Sequence, residues 1–361
     1  MQQISVISRM DWTHPSSGGA EKYLKEVLFR LSDSYDITVF CSNGPGLPDE
    51  ETIGGIRIVR CGISTDSVPY ANQMFIALRY NGEDPSDDVL LVNGASQLYP
   101  LFRSKDRVDV YHLFGGRDSL ESGIKDTVKF GLEYVAMRLP KGKQIAVSEN
   151  HRRKIEDETG RSIHRIVNGG VDLDQFSGDV EKFDRPTMLH LGRLGRQKGT
   201  DRAIEIHREV QDRMGVDVDL HICGTGGMSE LAREYAAESE TTTYHGHVSE
   251  EKKVDLMQKS WLKLVPSRSE SFGLVVIEAN AAGTPVVASD IVGLSDTVEN
   301  GVNGFRVAEA DMVETCLKIL EDENRREGLS HSSREYVQQY SWDETASQIR
   351  SVMDGSCCKA V

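Results

Sequence analysis

Glu270 and Glu278 flank a short glycine turn, Ser271-Phe272-Gly273-Leu274, in a string that runs on to Ser289. A carboxylate offers only hydrogen-bond acceptors, so the pair suits the hydroxyls of a diol, either a ribose or a hexose. From Gly273 onward Leu274, Ile277 and Ala281 recur at helical spacing, which predicts a short helix that stops at Gly283. The backbone amides of Ser271 to Leu274 then stand at a helix N-terminus, where phosphate oxygens bind. Spacing alone favours an ordinary surface acid pair on a crossover helix. The elements that must hold the pair are legible on both sides. Trp261 to Val265 is an apolar run short enough for a buried strand, broken by Pro266 and Ser267, and Pro285 to Ala288 is a second strand. Strand, helix and strand make one unit of a parallel sheet, and ligands gather at the carboxyl ends of such strands.

Two cations have a comparable setting. Gly192-Arg193-Leu194-Gly195-Arg196-Gln197-Lys198-Gly199 is a basic, glycine-rich loop between a predicted strand, Thr187 to Leu191, and a predicted helix, Asp201 to Met214. Arginine forks onto two oxygens and lysine supplies a mobile point charge, so Arg193 and Lys198 could close on one diphosphate. A solvated loop is the bland alternative. Near the start, a strand at Ile4 to Ser8 leads through Gly18-Gly19 into a helix with an apolar face of Leu24, Val27, Leu28 and Leu31. That arrangement either holds an anion or merely turns tightly. With no G-x-G-x-x-G and no Gly-Lys-Ser/Thr, neither a dinucleotide site nor a P-loop is supported. His112 falls at the carboxyl end of the strand Val108 to Leu113, a place where ligands bind and where a structural histidine is also common.

The acid-Ser-Phe-Gly loop, the second acid after seven intervening residues and the Gly283-Thr284-Pro285 turn resemble the donor-sugar signature of retaining GT-B glycosyltransferases, specifically glycosyltransferase family 4, or group 1. The resemblance implies an α/β GT-B fold, two Rossmann-like domains facing each other across a cleft, with a C-terminal helix returning to the first domain. It implies an enzyme that moves a hexosyl unit from a nucleotide-diphosphate sugar to a glycan, lipid-linked or small-molecule hydroxyl. In such enzymes Glu270 and the Ser271 to Leu274 turn would hold the sugar, and Glu278 the ribose. Arg193 and Lys198 would take the leaving pyrophosphate, Gly18-Gly19 would reach the donor phosphate and acceptor, and His112 would contact the sugar. Fixed cations at the phosphates make a divalent metal unnecessary, and no cofactor is expected beyond the nucleotide sugar as substrate. Family members often carry a histidine where this chain has Asn93. The rival readings are a nucleotide-sugar epimerase or hydrolase on the same fold, and a noncatalytic nucleotide-sugar-binding protein.

The 361 residues suit two domains, read here as 1–178 and 187–340 joined by a charged linker at 179–186, with residues 341–361 forming the returning helix and tail. With 27 % charged and 38 % hydrophobic residues, the chain can build ordinary globular cores. Its 42 Lys and Arg against 57 Asp and Glu give a net charge of −15, which argues against nucleic acid as a partner. The six cysteines show no C-x-x-C pair and no ligand-like cluster with histidine, as expected in a reducing compartment. The polar start and the lack of a long apolar run predict a cytoplasmic protein. Residues 122–139 carry two apolar stripes at helical period. One reading is a helix buried on both sides; the other sets Phe130, with Lys141 and Lys143, against a membrane surface.

Overall fold

The computed structural model describes residues 2–15, 17–62, 69–83, 89–93, 106–112, 142–178 and 180–355. Two compact units share the chain, Met1–Gly169 with Trp342–Val361, and Gly170–Ser341.

In the first unit the order is β1 (Gln2–Ser8), α1 (Gly19–Leu31), β2 (Tyr35–Ser42), β3 (Glu50–Ile53), β4 (Ile56–Cys61), α2 (Pro69–Gly82), β5 (Val89–Asn93), β6 (Asp106–Tyr111), β7 (Lys143–Ala146), α3 (Glu149–Thr159) and β8 (Arg165–Ile166). Among the described residues these strands form one sheet in the order β3-β4-β2-β1-β5-β6-β7-β8, parallel except for β3 against β4. β1 lies inside the sheet with Ile4, Val6 and Ile7 buried, as a strand covered on both faces requires. The periodic face of α1 is buried as its spacing predicts, at Leu24, Val27, Leu28 and Leu31.

The second unit opens with α4 (Leu173–Phe176) and continues through β9 (Thr187–Leu191), α5 (Thr200–Met214), β10 (Asp219–Cys223), α6 (Ser229–Glu238), β11 (Thr242–Gly246), α7 (Glu250–Lys259), β12 (Leu262–Val265), α8 (Leu274–Ala281), β13 (Val286–Ser289), β14 (Gly304–Val307), α9 (Met312–Leu320) and α10 (Glu323–Tyr336). Its sheet runs β11-β10-β9-β12-β13-β14 and is parallel throughout the described strands. Parallel neighbours need crossover connections, and α5, α6 and α8 supply those from β9 to β10, β10 to β11 and β12 to β13. Ile204 and Val210 of α5 and Met312 and Leu317 of α9 bury against Met188, Leu220, Ile222 and Leu264 of the sheet. Residues 180–186 fold onto this unit. Lys182 Nζ donates to Ser260 O at 2.9 Å and to Thr284 Oγ1 at 3.0 Å, and Trp261 Nε1 donates to Phe183 O at 2.7 Å.

The last helix, α11 (Trp342–Met353), belongs to the first unit. Trp342 is buried, its ring edge-on to Tyr23 at 5.8 Å, and Arg30 Nε meets Asp343 at 2.6 Å. Thr345 Oγ1 donates to Asn168 O at 2.9 Å. The expected return of the C-terminal helix is thus fixed by an aromatic contact, an ion pair and a hydrogen bond.

Most of the segment read as a membrane-facing stripe, including Phe130 and Lys141, lies outside the described residues. Lys143 is described. Its ammonium donates to Val352 O at 2.5 Å, so it is tied to the end of α11 rather than presented to a surface. No helix among the described residues is long and apolar enough to cross a membrane.

Candidate active site

In the second unit the loops that follow β9 and β12 stand side by side at the carboxyl edge of the sheet. The first loop leaves β9 at Leu191 and ends in a 3-10 turn, Arg196–Lys198, before α5. Its shape is held by the neighbouring backbone, with Gly192 N donating to Cys223 O at 3.1 Å and Leu194 N to Thr225 O at 2.9 Å. Arg268, just past β12, ties the two loops together. Its amide donates to Gln197 O at 2.8 Å, and its guanidinium donates to Arg196 O at 2.6 Å and to both oxygens of Asp201 at 2.7 and 2.8 Å. That hydrogen-bonded fork also holds the Asp201 carboxyl below the usual range.

This clamp brings two of the expected residues into contact. Lys198 Nζ lies 2.6 Å from Glu270 Oε1, and Ser267 Oγ donates to the same oxygen at 3.3 Å. The lysine side chain is 31 % exposed and the glutamate 10 %, so the pair stands at the mouth of a recess rather than in the core. Arg193 shares the Lys198 loop and is exposed.

The turn that carries Glu270 is set by three features. Gly273 has φ +81°, a left-handed conformation that glycine adopts without strain, and it caps α8, whose amides begin at Leu274. Phe272 is buried edge-on to Tyr340 at 5.7 Å, and its carbonyl accepts from Thr297 Oγ1 at 3.0 Å. Gly293 packs directly on the turn, where a Cβ would collide with the Glu270 carbonyl oxygen. Ser271 and Leu274 complete the turn, each partly exposed. The helix-entry geometry expected for an anion or sugar site is present.

Glu278 has a different setting. It is buried at 4 % exposure on α8, and Lys253 Nζ of α7 lies 3.2 Å from its Oε1 while also pairing with Glu250 at 2.6 Å. The two acids are therefore held apart, Glu270 with Lys198 and Glu278 with Lys253.

The first unit holds the remaining candidates. Gly18 is the N-cap of α1, and its amide already donates to Glu21 Oε2 at 2.8 Å, so an anion there would compete with a carboxylate of the same helix. His112 follows β6, with Nε2 2.6 Å from Asn93 Oδ1 and the ring edge-on to Tyr23 at 4.8 Å. Asn93 Nδ2 faces the Ala20 carbonyl at 3.4 Å, which turns Oδ1 toward the histidine and makes Nε2 the donor. Burial lowers the imidazole to about 3, so it is neutral at ordinary pH. Asn93, which departs from the resemblance, thus sets the tautomer of His112. Among the described residues no three His, Cys, Asp or Glu side chains gather as a metal site.

Residues 174–336 match the sequence profile of glycosyl transferases group 1. The chain carries a glycosyl transferases group 1 domain. It is 31 % identical over 220 residues to the phosphatidyl-myo-inositol mannosyltransferase of Mycobacterium leprae, covering 58 % of each chain. Overall, the chain spans about half the length of the curated relatives it matches. Among solved structures, sucrose-phosphate synthase from Thermosynechococcus elongatus aligns with a TM-score of 0.84 at 21 % identity, over 98 % of this chain and 99 % of that one. Anabaena HepE, solved with UDP-glucose, aligns with a TM-score of 0.76 at 16 % identity, over 98 % and 100 %. These likenesses show the GT-B fold. The group 1 domain contains both Lys198 and Glu270.

Sequence reading missed three residues of this domain. Arg268 and Gly293 carry no role in the sequence reading. Lys263 lay hidden in an apolar run, although its side chain is fully buried and lines the recess with His190, Ser267 and Glu270. A lysine at the centre of a predicted buried strand was the signal that could have found it.

Proposed function

We propose that this chain is a retaining glycosyltransferase that moves a hexosyl unit from a nucleotide-diphosphate sugar to a hydroxyl acceptor. The observation that carries the reading is the Lys198–Glu270 pair, 2.6 Å apart at the carboxyl edge of a parallel sheet, inside the segment that matches the group 1 family. Lysine and glutamate neutralise each other before the donor binds. Donor binding then exchanges that pair for two better matched ones, with phosphate oxygens on Lys198 and Arg193 and sugar hydroxyls on Glu270. As the glycosidic bond breaks, charge collects on the diphosphate, and fixed cations stabilise it where it forms. The acceptor hydroxyl attacks the anomeric carbon and its proton passes to the departing phosphate oxygen, so no enzymic nucleophile is assigned.

Glu278 is assigned to the ribose with Lys253 as its counter-ion. Ser271 to Leu274 supply amides to the donor. His112 and Gly18-Gly19 keep, as proposals, the roles the resemblance implies. The UDP-glucose held by HepE and the mannosyl transfer named for the mycobacterial relative support a nucleotide-sugar donor and a hydroxyl acceptor.

A thermal-shift panel of nucleotide sugars identifies the donor, because a ligand selective for the folded state raises its melting temperature. Proton NMR of the product made from an α-linked donor then reads the anomeric configuration. An α-linked product is expected. A β-linked product contradicts the retaining reading, and an epimerised nucleotide sugar with no transfer product contradicts the transferase reading.

A further inference from the structure

Lys263 sits where an apolar residue is expected. It lies within β12, hydrogen-bonded on either side to β9 and β13, with Leu262 and Leu264 as sequence neighbours and a side chain at 0 % exposure. Burying an ammonium without a full set of partners is costly, and a methionine of similar reach would fill the space without that cost. The side chain extends to the carboxyl edge of the sheet, where Nζ donates to Leu191 O at 3.2 Å. Among the described residues that carbonyl is its hydrogen-bond acceptor, which leaves ammonium protons for a ligand oxygen in the recess it shares with Lys198 and Glu270.

The charged and titratable groups facing it come from every neighbouring element. Lys198 disfavours a charge on it, whereas Cys223, Glu278 and Glu270 favour one. Burial outweighs them all and lowers the amine to about 7. His190, with Nε2 3.2 Å from Thr200 Oγ1 and a buried Nδ1 that has no partner among the described residues, is held neutral, lowered to about 3.

We propose that Lys263 is a third, proton-linked cation of the donor site, whose ammonium binds the diphosphate of a nucleotide sugar from beneath Lys198. The inference rests on the donor reading above and deepens it. The step is an acid-base one only. The neutral amine takes a proton from solvent as the diphosphate arrives, and no bond of the ligand forms or breaks. The sign follows from linkage. Below pH about 7 the amine already carries its proton and affinity is flat. Above that pH binding must import a proton, and affinity falls by up to about tenfold per pH unit.

The test is calorimetric titration of UDP-, GDP- and ADP-glucose, whose diphosphate diesters keep a constant charge near neutrality. It is run at pH about 8 in buffers of different ionisation enthalpy, and repeated at pH about 6.5. Wild type is expected to take up about 1 proton per ligand bound at the higher pH. Lys263→Met is expected to bind more weakly at the lower pH, with no uptake and no pH dependence, while melting at or above the wild-type temperature. Binding without proton uptake in wild type, or uptake that persists in Lys263→Met, overturns the assignment and leaves the donor reading standing. If none of the three sugars binds and no nucleotide sugar of the thermal-shift panel does, the donor reading fails and this inference falls with it. Should the variant not fold, the wild-type uptake and its pH window decide alone.

Discussion

The contact between Asn93 and His112 shows how one polar residue can determine what another presents. Asn93 donates toward Ala20 O and accepts from His112 Nε2, so the histidine is left neutral with Nδ1 as its acceptor. A hydroxyl of a ligand could donate to that nitrogen; a phosphate could not. Asn93→Asp places a carboxylate beside the ring, and an opposite charge at hydrogen-bond distance favours the imidazolium. The His112 titration followed by NMR is expected to move up from about 3 toward the ordinary range, and an unmoved titration contradicts the contact. Site residues were legible where type and setting agreed, as for Lys198 on a basic glycine loop and Glu270 at a helix entry. Lys263 was not, because a lysine in a predicted buried strand marks an anomaly but not a role until the carbonyl it meets and the recess it lines are known.

At the scale of elements, the unit β12-turn-α8-β13 was readable from its apolar runs, its breakers and the glycine at either end of the helix. Its support was not readable, because the contacts that hold it cross the sequence. Gly293 touches Glu270, and Arg268 bridges to Gln197 and Asp201 on another loop. The collision at Gly293 is with backbone, which cannot rotate aside as a side chain can. Gly293→Ala is therefore expected to displace the Glu270 turn, costing about 1–3 kcal/mol in denaturant unfolding and raising KM for the donor. A variant with wild-type stability and KM would show that the turn does not depend on this contact. The returning helix α11 was expected from the resemblance within residues 341–361, whereas its partners Tyr23 and Arg30 lie more than three hundred residues earlier in the chain.

For the molecule as a whole, several histidines are held neutral, His151 and His190 buried and His112 and His221 half-buried. Burial lowers His112 and His190 to about 3, and His151 and His221 to about 4. The unfolded chain binds protons at these sites near the ordinary histidine value while the folded chain does not, so the unfolded state holds more protons between those limits. Stability therefore rises with pH across that range and is lost as pH falls below about 6.5. Denaturant unfolding at pH about 5 is expected to give a lower midpoint than at pH about 7.5, and equal midpoints would contradict these burials. The two sheets, parallel among the described strands except for β3 against β4, were expected from the fold the resemblance implies.

The central claim is that Lys198 and Glu270 act on a nucleotide sugar, and donor turnover tests it most directly. The rate of nucleotide release from the stabilising nucleotide sugar, in the presence of a crude lipid and glycan extract, is compared in wild type, Lys198→Ala and Glu270→Gln. Both variants are expected to fold normally and to lose about 100-fold or more in kcat/KM, as the removal of a group that stabilises transition-state charge or holds the sugar predicts. Turnover unchanged in both variants would contradict the account.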